Sequence, residues 1–211
     1  MIQIRVINKL ILDKTGLKVR DKEGHLTLVH QRQGTLDGAC GVYSVIMGLL
    51  IMGYLSGKDL GKIDRRSPEG KLLSKLLEEQ GMVIDGYFSK TLSRDINEYA
   101  GNIAHTHYPN GDIEKYLSYI HKYIDNDLPL VLCIGWPNED YGHYVLAIGY
   151  EMTDNTITKV LCLDPSYDAS SVCYWNCCID VSKSSHWHID IKGISNKCVL
   201  ENMIAFNVSL N

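Results

Sequence analysis

The sequence lacks the features that mark several broad classes of protein. Its 21 lysines and arginines are scattered rather than gathered into a run, and 25 aspartates and glutamates outnumber them. A net charge of -4 leaves no basic patch for phosphates, so a nucleic-acid partner is not favoured. No internal repeat, low-complexity tract or long linker interrupts the 211 residues. A single domain is the simplest interpretation.

Long apolar runs are also missing. The longest, Val45 to Leu55, is interrupted by two glycines and is too short to cross a bilayer. The charged N-terminal stretch MIQIRVINKLILDK has neither the apolar core nor the small-residue cleavage site of a secretory signal. We therefore expect no membrane segment, and a protein that is cytoplasmic or exported by a route without a cleavable signal peptide.

The seven cysteines contain no C-x-x-C pair. An odd count without an export signal favours reduced thiols over a disulfide framework. Cysteines and histidines crowd into the C-terminal part, at Cys173, Cys177, Cys178, His186, His188 and Cys198. One residue separates the two histidines, whereas zinc histidines are usually three to five apart. We predict strand residues packed on one face, and no metal or other cofactor, with a zinc site as the alternative.

Local patterns predict strands, then helices, then an antiparallel sheet. Two N-terminal segments, Ile2 to Leu12 and His25 to His30, are typical of an antiparallel pair. Helical periodicity covers four segments: Cys40 to Tyr54, Gly70 to Gln80, Ser89 to Ala100 and Asp112 to Ile124. Dense apolar runs predict three neighbouring strands: Leu128 to Trp136, His143 to Met152 and Ile157 to Asp164. SVCYWNCCIDV, HWHIDI and MIAFNVSL are candidates for further strands.

This order of elements predicts an α+β fold. We expect one domain spanning residues 1–211. Within it, residues 1–32 would form an N-terminal β extension, residues 33–127 a helical part, and residues 128–211 an antiparallel sheet part.

Cys40 lies where a polar, glycine-rich turn meets the first long helix. Most free cysteines are simply small buried residues. A helix N-terminus, however, favours a thiolate over a thiol, and small neighbours at Ala39 and Gly41 leave the sulfur accessible. The turn itself is expected at Asp37 and Gly38. Because a nucleophilic thiolate needs a base, and the base needs an orienting acceptor, Cys40 directs attention to the histidines.

His143 and Asp164 are the candidate base and acceptor. His143 opens an apolar strand directly after Gly142, and Asp164 ends the next strand before Pro165. Taken alone, each would more often be an ordinary turn residue. If the two strands are hairpin neighbours, the start of the first lies beside the end of the second. The pair then becomes a candidate for hydrogen bonding.

Three segments, QGTLDGACGVYS, GHYVLAIGY and LCLDPS, resemble the papain-like cysteine peptidases, and most of all their bacteriocin leader peptidase branch. The resemblance implies Cys40 as nucleophile, His143 as general base and acid, and Asp164 as the group that orients the imidazole. It also implies that the helix carrying the nucleophile packs on an antiparallel sheet.

The resemblance further implies a glutamine that stabilises the oxyanion. The family usually places it six residues before the cysteine, where this chain has Gly34. Gln33, one residue further away, is our choice for this role, and Gln31 is the second choice.

The implied activity is cleavage of a peptide bond through a thioester acyl-enzyme, with a protein or peptide as substrate. Trp136, Tyr141, Gly142 and Tyr144 are candidates for the wall of the substrate groove. The same triad would also serve a glutamine deamidase, a transglutaminase or an acyltransferase acting as an effector or toxin. A catalytically silent binding module is a further alternative, and the sequence does not indicate the oligomeric state.

Overall fold

The computed structural model describes residues 1–34, 38–79 and 87–207. In these ranges the helices are α1 (Cys40–Ile51), α2 (Gly57–Gly61), α3 (Pro68–Ser74), α4 (Ser89–Ala100) and α5 (Ile113–Asp125), and a π-helical segment, Lys75–Glu79, follows α3. The predicted helices at Cys40, Ser89 and Asp112 are confirmed as α1, α4 and α5. Gln80, the expected end of the remaining predicted helix, lies outside the described residues.

The strands in the same ranges are β1 (Ile2–Val6), β2 (Ile11–Asp13), β3 (Gly16–Arg20), β4 (Leu26–Leu28), β5 (Ala104–His107), β6 (Leu130–Gly135), β7 (Gly142–Thr153), β8 (Thr156–Leu163), β9 (Cys177–Asp180), β10 (His186–Asp190) and β11 (Ser195–Phe206). The apolar runs that predicted three neighbouring antiparallel strands are β6, β7 and β8. The three C-terminal candidates contain the strands β9 to β11, and residues 208–210 at the end of MIAFNVSL lie outside the described residues.

Six antiparallel strands close into a barrel within the described part of the chain. Each strand from β6 to β11 pairs with the next in sequence, and β11 returns to pair with β6. β1 continues the edge of β7, and β5 continues the edge of β11. The short strands β2, β3 and β4 form a separate sheet.

The predicted fold class, a papain-like arrangement with the nucleophile helix packed on an antiparallel sheet, was therefore wrong. The sheet is a closed barrel because β9 and β10 bridge the gap between β8 and β11. Apolar runs and alternation indicate that a segment is a strand. They do not indicate which distant strands pair, and closure depends on that pairing.

The expected N-terminal hairpin was also wrong. β1 pairs with β7, with Ile4 opposite Glu151, whereas β4 pairs with β3. The C-terminal half of β7 extends beyond the end of β6 and would otherwise leave its backbone groups unpaired. β1 satisfies those groups from a distant part of the sequence.

Helix α1 begins at Cys40, is buried on nearly every side and packs against the barrel wall. The Ser44 hydroxyl donates to the backbone carbonyl of Tyr144 over 3.2 Å. A Cβ atom at Gly48 would lie 2.6 Å from the ring of Phe206, so the glycine permits close contact between helix and barrel. This packing fixes Cys40 relative to β7. No helix in the described residues is both long and apolar enough to span a bilayer.

Candidate active site

Cys40 is the first residue of α1 and lines a cavity of about 800 Å³. The residue is half-buried, so its sulfur is neither sealed in the core nor freely exposed. The first backbone N–H groups of a helix have no partners within the helix. Cys40 therefore combines a thiol at the cavity with a backbone N–H that has no partner within the helix. The expected turn residue Asp37 lies outside the described residues.

His143 is the second residue of β7 and lines the same cavity. It lies opposite Ile134 in β6, and its ring stacks on Trp136 with 6.4 Å between the ring centroids. Its side chain is 13% exposed. The strand pairing and the indole together hold the imidazole in one orientation.

Asp164 follows the last residue of β8, as expected if the strands that carry His143 and Asp164 form a hairpin. β7 and β8 are antiparallel neighbours, with Leu146 opposite Leu163. His143 Nε2 lies 2.8 Å from Asp164 Oδ1. The Ser166 N–H donates to the same oxygen over 2.8 Å. The predicted contact between His143 and Asp164 is thus present.

The electrostatics of this pair favour an imidazolium next to a carboxylate. Burial lowers the pKa of His143, but the charge and hydrogen bond of Asp164 and a hydrogen bond with Cys40 oppose it and raise the pKa to about 10. Burial raises the pKa of Asp164, but the charge of His143 and hydrogen bonds from His143 and His188 leave it well below its ordinary value. Each group stabilises the charged form of the other.

The two nitrogens of His143 have separate partners. Nε2 contacts Asp164, so Nδ1 is the nitrogen that remains for Cys40, which lines the same cavity and helps to raise the pKa of the ring. An imidazole held by a carboxylate on one side and a thiol on the other can move a proton to and from sulfur.

Gln33 also lines the cavity, and its backbone N–H donates to the carbonyl of Pro165 over 2.9 Å. Its side-chain Oε1 is buried and has no hydrogen-bond partner among the described residues. Gln31, the second choice, donates its side-chain amide to the Leu28 carbonyl over 3.3 Å. Of the two glutamines, Gln33 is the one that borders the cavity shared by Cys40 and His143.

The four residues expected to bind substrate, Trp136, Tyr141, Gly142 and Tyr144, all border this cavity. Tyr141 is 66% exposed, whereas Tyr144 is buried and its hydroxyl lies 2.8 Å from the Ser89 hydroxyl. Tyr144 therefore belongs to the floor of the cavity. Tyr141 is free to contact a bound chain.

A second cluster of cysteine, histidine and aspartate shares Asp164. In the described part of the chain, the ligand atoms of Asp164, Cys177 and His188 all lie within 4.8 Å of one another and could hold a metal ion. Within the cluster, His188 Nε2 is 3.0 Å from Asp164 Oδ2, and outside it Asp164 Oδ1 is 2.8 Å from His143 Nε2. A hydrogen bond therefore joins the histidine and the carboxylate of this cluster.

Cys177 differs from Cys40 in accessibility. Its side chain is buried, and burial followed by its contact with Cys162 raises the pKa of the Cys177 thiol well above the ordinary value. A thiol of this kind is neither ionised nor reachable by a substrate. Of the two thiols near a histidine and Asp164, Cys40 is the one that borders the cavity.

The sequence did not indicate three further side chains that contact Asp164: His188, Asn176 and His30, whose Nε2 lies 3.1 Å from the Asp164 carbonyl oxygen. His188 binds its second carboxylate oxygen, and Asn176 accepts from its backbone N–H over 2.7 Å and donates to its carbonyl over 2.9 Å. The sequence signal for His188 is the alternation H-W-H, which places His186 and His188 on one face of a strand. That alternation does not identify what the face contacts.

Comparisons with known proteins give little. No family model matches the chain, and no curated protein matches it. A solved structure with a likeness is the crystal structure of UfSP from C. elegans, at 14% identity and a TM-score of 0.43. The match covers 97% of this chain and 34% of UfSP, so the chain spans about a third of that protein. At this identity and TM-score the likeness establishes neither fold nor activity, and no comparison shows the bacteriocin leader peptidase branch.

Proposed function

We propose that this protein is a thiol hydrolase that cleaves an amide bond, with Cys40 as nucleophile, His143 as general base and acid, and Asp164 as the group that orients His143. The observation that carries the proposal is the placement of His143. Its Nε2 is 2.8 Å from Asp164, and His143 lines the same cavity as Cys40, which helps to raise the pKa of His143. The three residue types match the requirements of a thiol nucleophile.

The first half of the reaction forms a thioester. The Cys40 thiolate attacks the carbonyl carbon, and the oxyanion accepts hydrogen bonds from the Cys40 N–H and the Gln33 side-chain amide. His143 Nδ1 then gives its proton to the leaving amine as the carbon–nitrogen bond breaks.

The second half releases the product. His143, now neutral, takes a proton from water, which attacks the thioester carbon. The carbon–sulfur bond breaks and the acid leaves, while the thiolate and imidazolium are restored. Asp164 keeps its charge throughout and stabilises the imidazolium form of His143.

A peptide bond is the favoured target because of the motif resemblance around Cys40, His143 and Asp164. The cavity is large enough for several side chains of an extended chain. Its wall includes Glu139, Asp140 and Glu201 but no lysine or arginine from the described residues. Trial substrates should therefore include peptides with basic side chains as well as neutral ones.

The first test is alkylation with iodoacetamide, followed by mass spectrometry to locate the adduct. Cys173 is partly exposed like Cys40 and serves as the internal control. A thiol with the ordinary pKa of about 8.5 is only about 3% ionised at pH 7, so a preformed ion pair can speed up labelling by at most about 30-fold. We expect Cys40 to react fastest, and His143→Ala to remove the advantage.

Cys177→Ala is the matched control, because it removes the other thiol near a histidine and Asp164. It should leave the labelling rate of Cys40 unchanged. The proposal is wrong if Cys40 reacts no faster than Cys173, or if His143→Ala has no effect on its rate. A reactive Cys40 without turnover of any trial amide would leave the binding-module alternative in place.

A further inference from the structure

Asp164 contacts two imidazoles. His143 Nε2 lies 2.8 Å from Oδ1, and His188 Nε2 lies 3.0 Å from Oδ2. The side chains of Asp164 and His188 are 1% and 2% exposed. Both oxygens of a buried carboxylate are therefore bound, each by a histidine from a different strand.

The remaining contacts fix the aspartate further. Ser166 donates to Oδ1, and Asn176 holds the backbone on both sides of the residue. His188 supplies the one side-chain contact described for Oδ2. Without it, the carboxylate could rotate about its last bond and turn Oδ1 away from His143. Buried charged groups also need their hydrogen bonds, because burial reduces their hydration.

We propose that His188 is a positioning residue, which holds the Asp164 carboxylate so that Oδ1 points at His143. This inference rests on the proposed roles of Cys40, His143 and Asp164. His188 is not itself the base, since its neighbouring thiol, Cys177, is buried away from substrate.

The state of the His188 ring supports this role. Nδ1 is buried and has no hydrogen-bond partner among the described residues. A proton on Nδ1 would leave a buried donor unsatisfied, whereas a proton on Nε2 is donated to Asp164. The neutral tautomer with its proton on Nε2 therefore fits. Trp136 and Tyr167 enclose the ring, at centroid distances of 5.7 Å and 6.4 Å, and keep it facing the carboxylate.

The test compares three variants of the full chain by the rate of Cys40 alkylation with iodoacetamide at pH 7. His188→Leu removes the donor, and we expect about 10-fold slower labelling, close to what one hydrogen bond to a charged group is worth. His188→Gln replaces Nε2–H with a side-chain amide donor and should restore most of the rate. His186→Leu is the matched control from the same strand, because the charged group that affects the pKa of His186 is Asp180 and not Asp164.

A second measurement uses the natural protein, so its outcome does not depend on whether a variant folds. Long-range nitrogen–proton NMR spectra of the natural protein should show His188 protonated on Nε2 alone. A proton on Nδ1 with none on Nε2 would overturn the proposal, because Nε2 could then no longer donate to Asp164. An unchanged rate of Cys40 labelling in His188→Leu would also overturn it. If His188→Gln slowed the labelling as much as His188→Leu, the packing of the ring would matter and the Nε2–H donor would not. Slow Cys40 labelling in the natural protein would count against the proposed function, while the His188 tautomer would still test the hydrogen bond to Asp164.

Discussion

Replacing Asp164 with asparagine should convert His143 from a cation into a neutral base at pH 7. Asparagine keeps the shape of the side chain and removes its charge. The ordinary pKa of a histidine is about 6.5, and in this site the pKa of His143 is raised to about 10. At about 1.4 kcal/mol for each tenfold change in protonation, the site stabilises the imidazolium by roughly 5 kcal/mol net of burial.

Asp164 supplies most of that stabilisation, and Cys40 supplies a smaller part. Once the carboxylate is gone, burial acts almost alone and disfavours the charged ring. We therefore expect the pKa of His143 to fall below 6.5 in Asp164→Asn. The change should be seen in a background of Cys40→Ala, which removes the contribution of the thiol.

The assay is an NMR titration of the imidazole protons between about pH 5 and 10, comparing Cys40→Ala with Cys40→Ala/Asp164→Asn. His107 on β5, whose pKa is lowered by burial, is the internal control and should titrate identically in both proteins. A His143 pKa that stays well above 7 without the carboxylate would refute the reasoning. It would mean that another group, not Asp164, holds the proton on the ring.

The pH dependence of stability, the packing of α1 and the role of Gln33 can each be tested in the same way. The raised pKa of His143 stabilises the fold fully below about pH 6.5. The free energy of unfolding in urea should therefore fall by up to roughly 5 kcal/mol as the pH rises towards 10. This dependence on pH should be absent in Asp164→Asn. Gly48→Val should lower the free energy of unfolding by about 3 kcal/mol, because the Phe206 ring occupies the space that the added atoms need. Gly61→Val is the control and should change the free energy of unfolding little, because the space around Gly61 is open. Equal effects of the two substitutions would contradict the packing of α1 on the barrel. Gln33→Ala should slow amide hydrolysis about 100- to 1,000-fold yet leave iodoacetamide labelling of Cys40 unchanged, because alkylation forms no oxyanion; a parallel loss in both assays would assign Gln33 another role.

The parts of the site that could be predicted are those encoded by neighbouring residues. Apolar positions at helical spacing after Cys40 predicted α1 and its first residue. Apolar runs separated by a short turn predicted the hairpin of β7 and β8, and the hairpin alone brings His143 to Asp164. Each of these inferences needs only local periodicity and the geometry of a turn.

The parts that could not be predicted depend on contacts between distant segments. β1 pairs with β7 across most of the chain, and β5 joins β11 in the same way. The patterns of these strands fit several partners equally well. The choice among them is made by which edges remain unpaired after the barrel has closed.

Barrel closure also explains why His188 was missed. β7 carries His143 and β10 carries His188, and these strands are three positions apart in either direction around the six strands. In a flat sheet, strands three positions apart are separated by about 14 Å. The two rings are only 6.3 Å apart, edge to face, and meet on one carboxylate. The closure that overturned the predicted sheet is therefore what allows a second imidazole to reach Asp164.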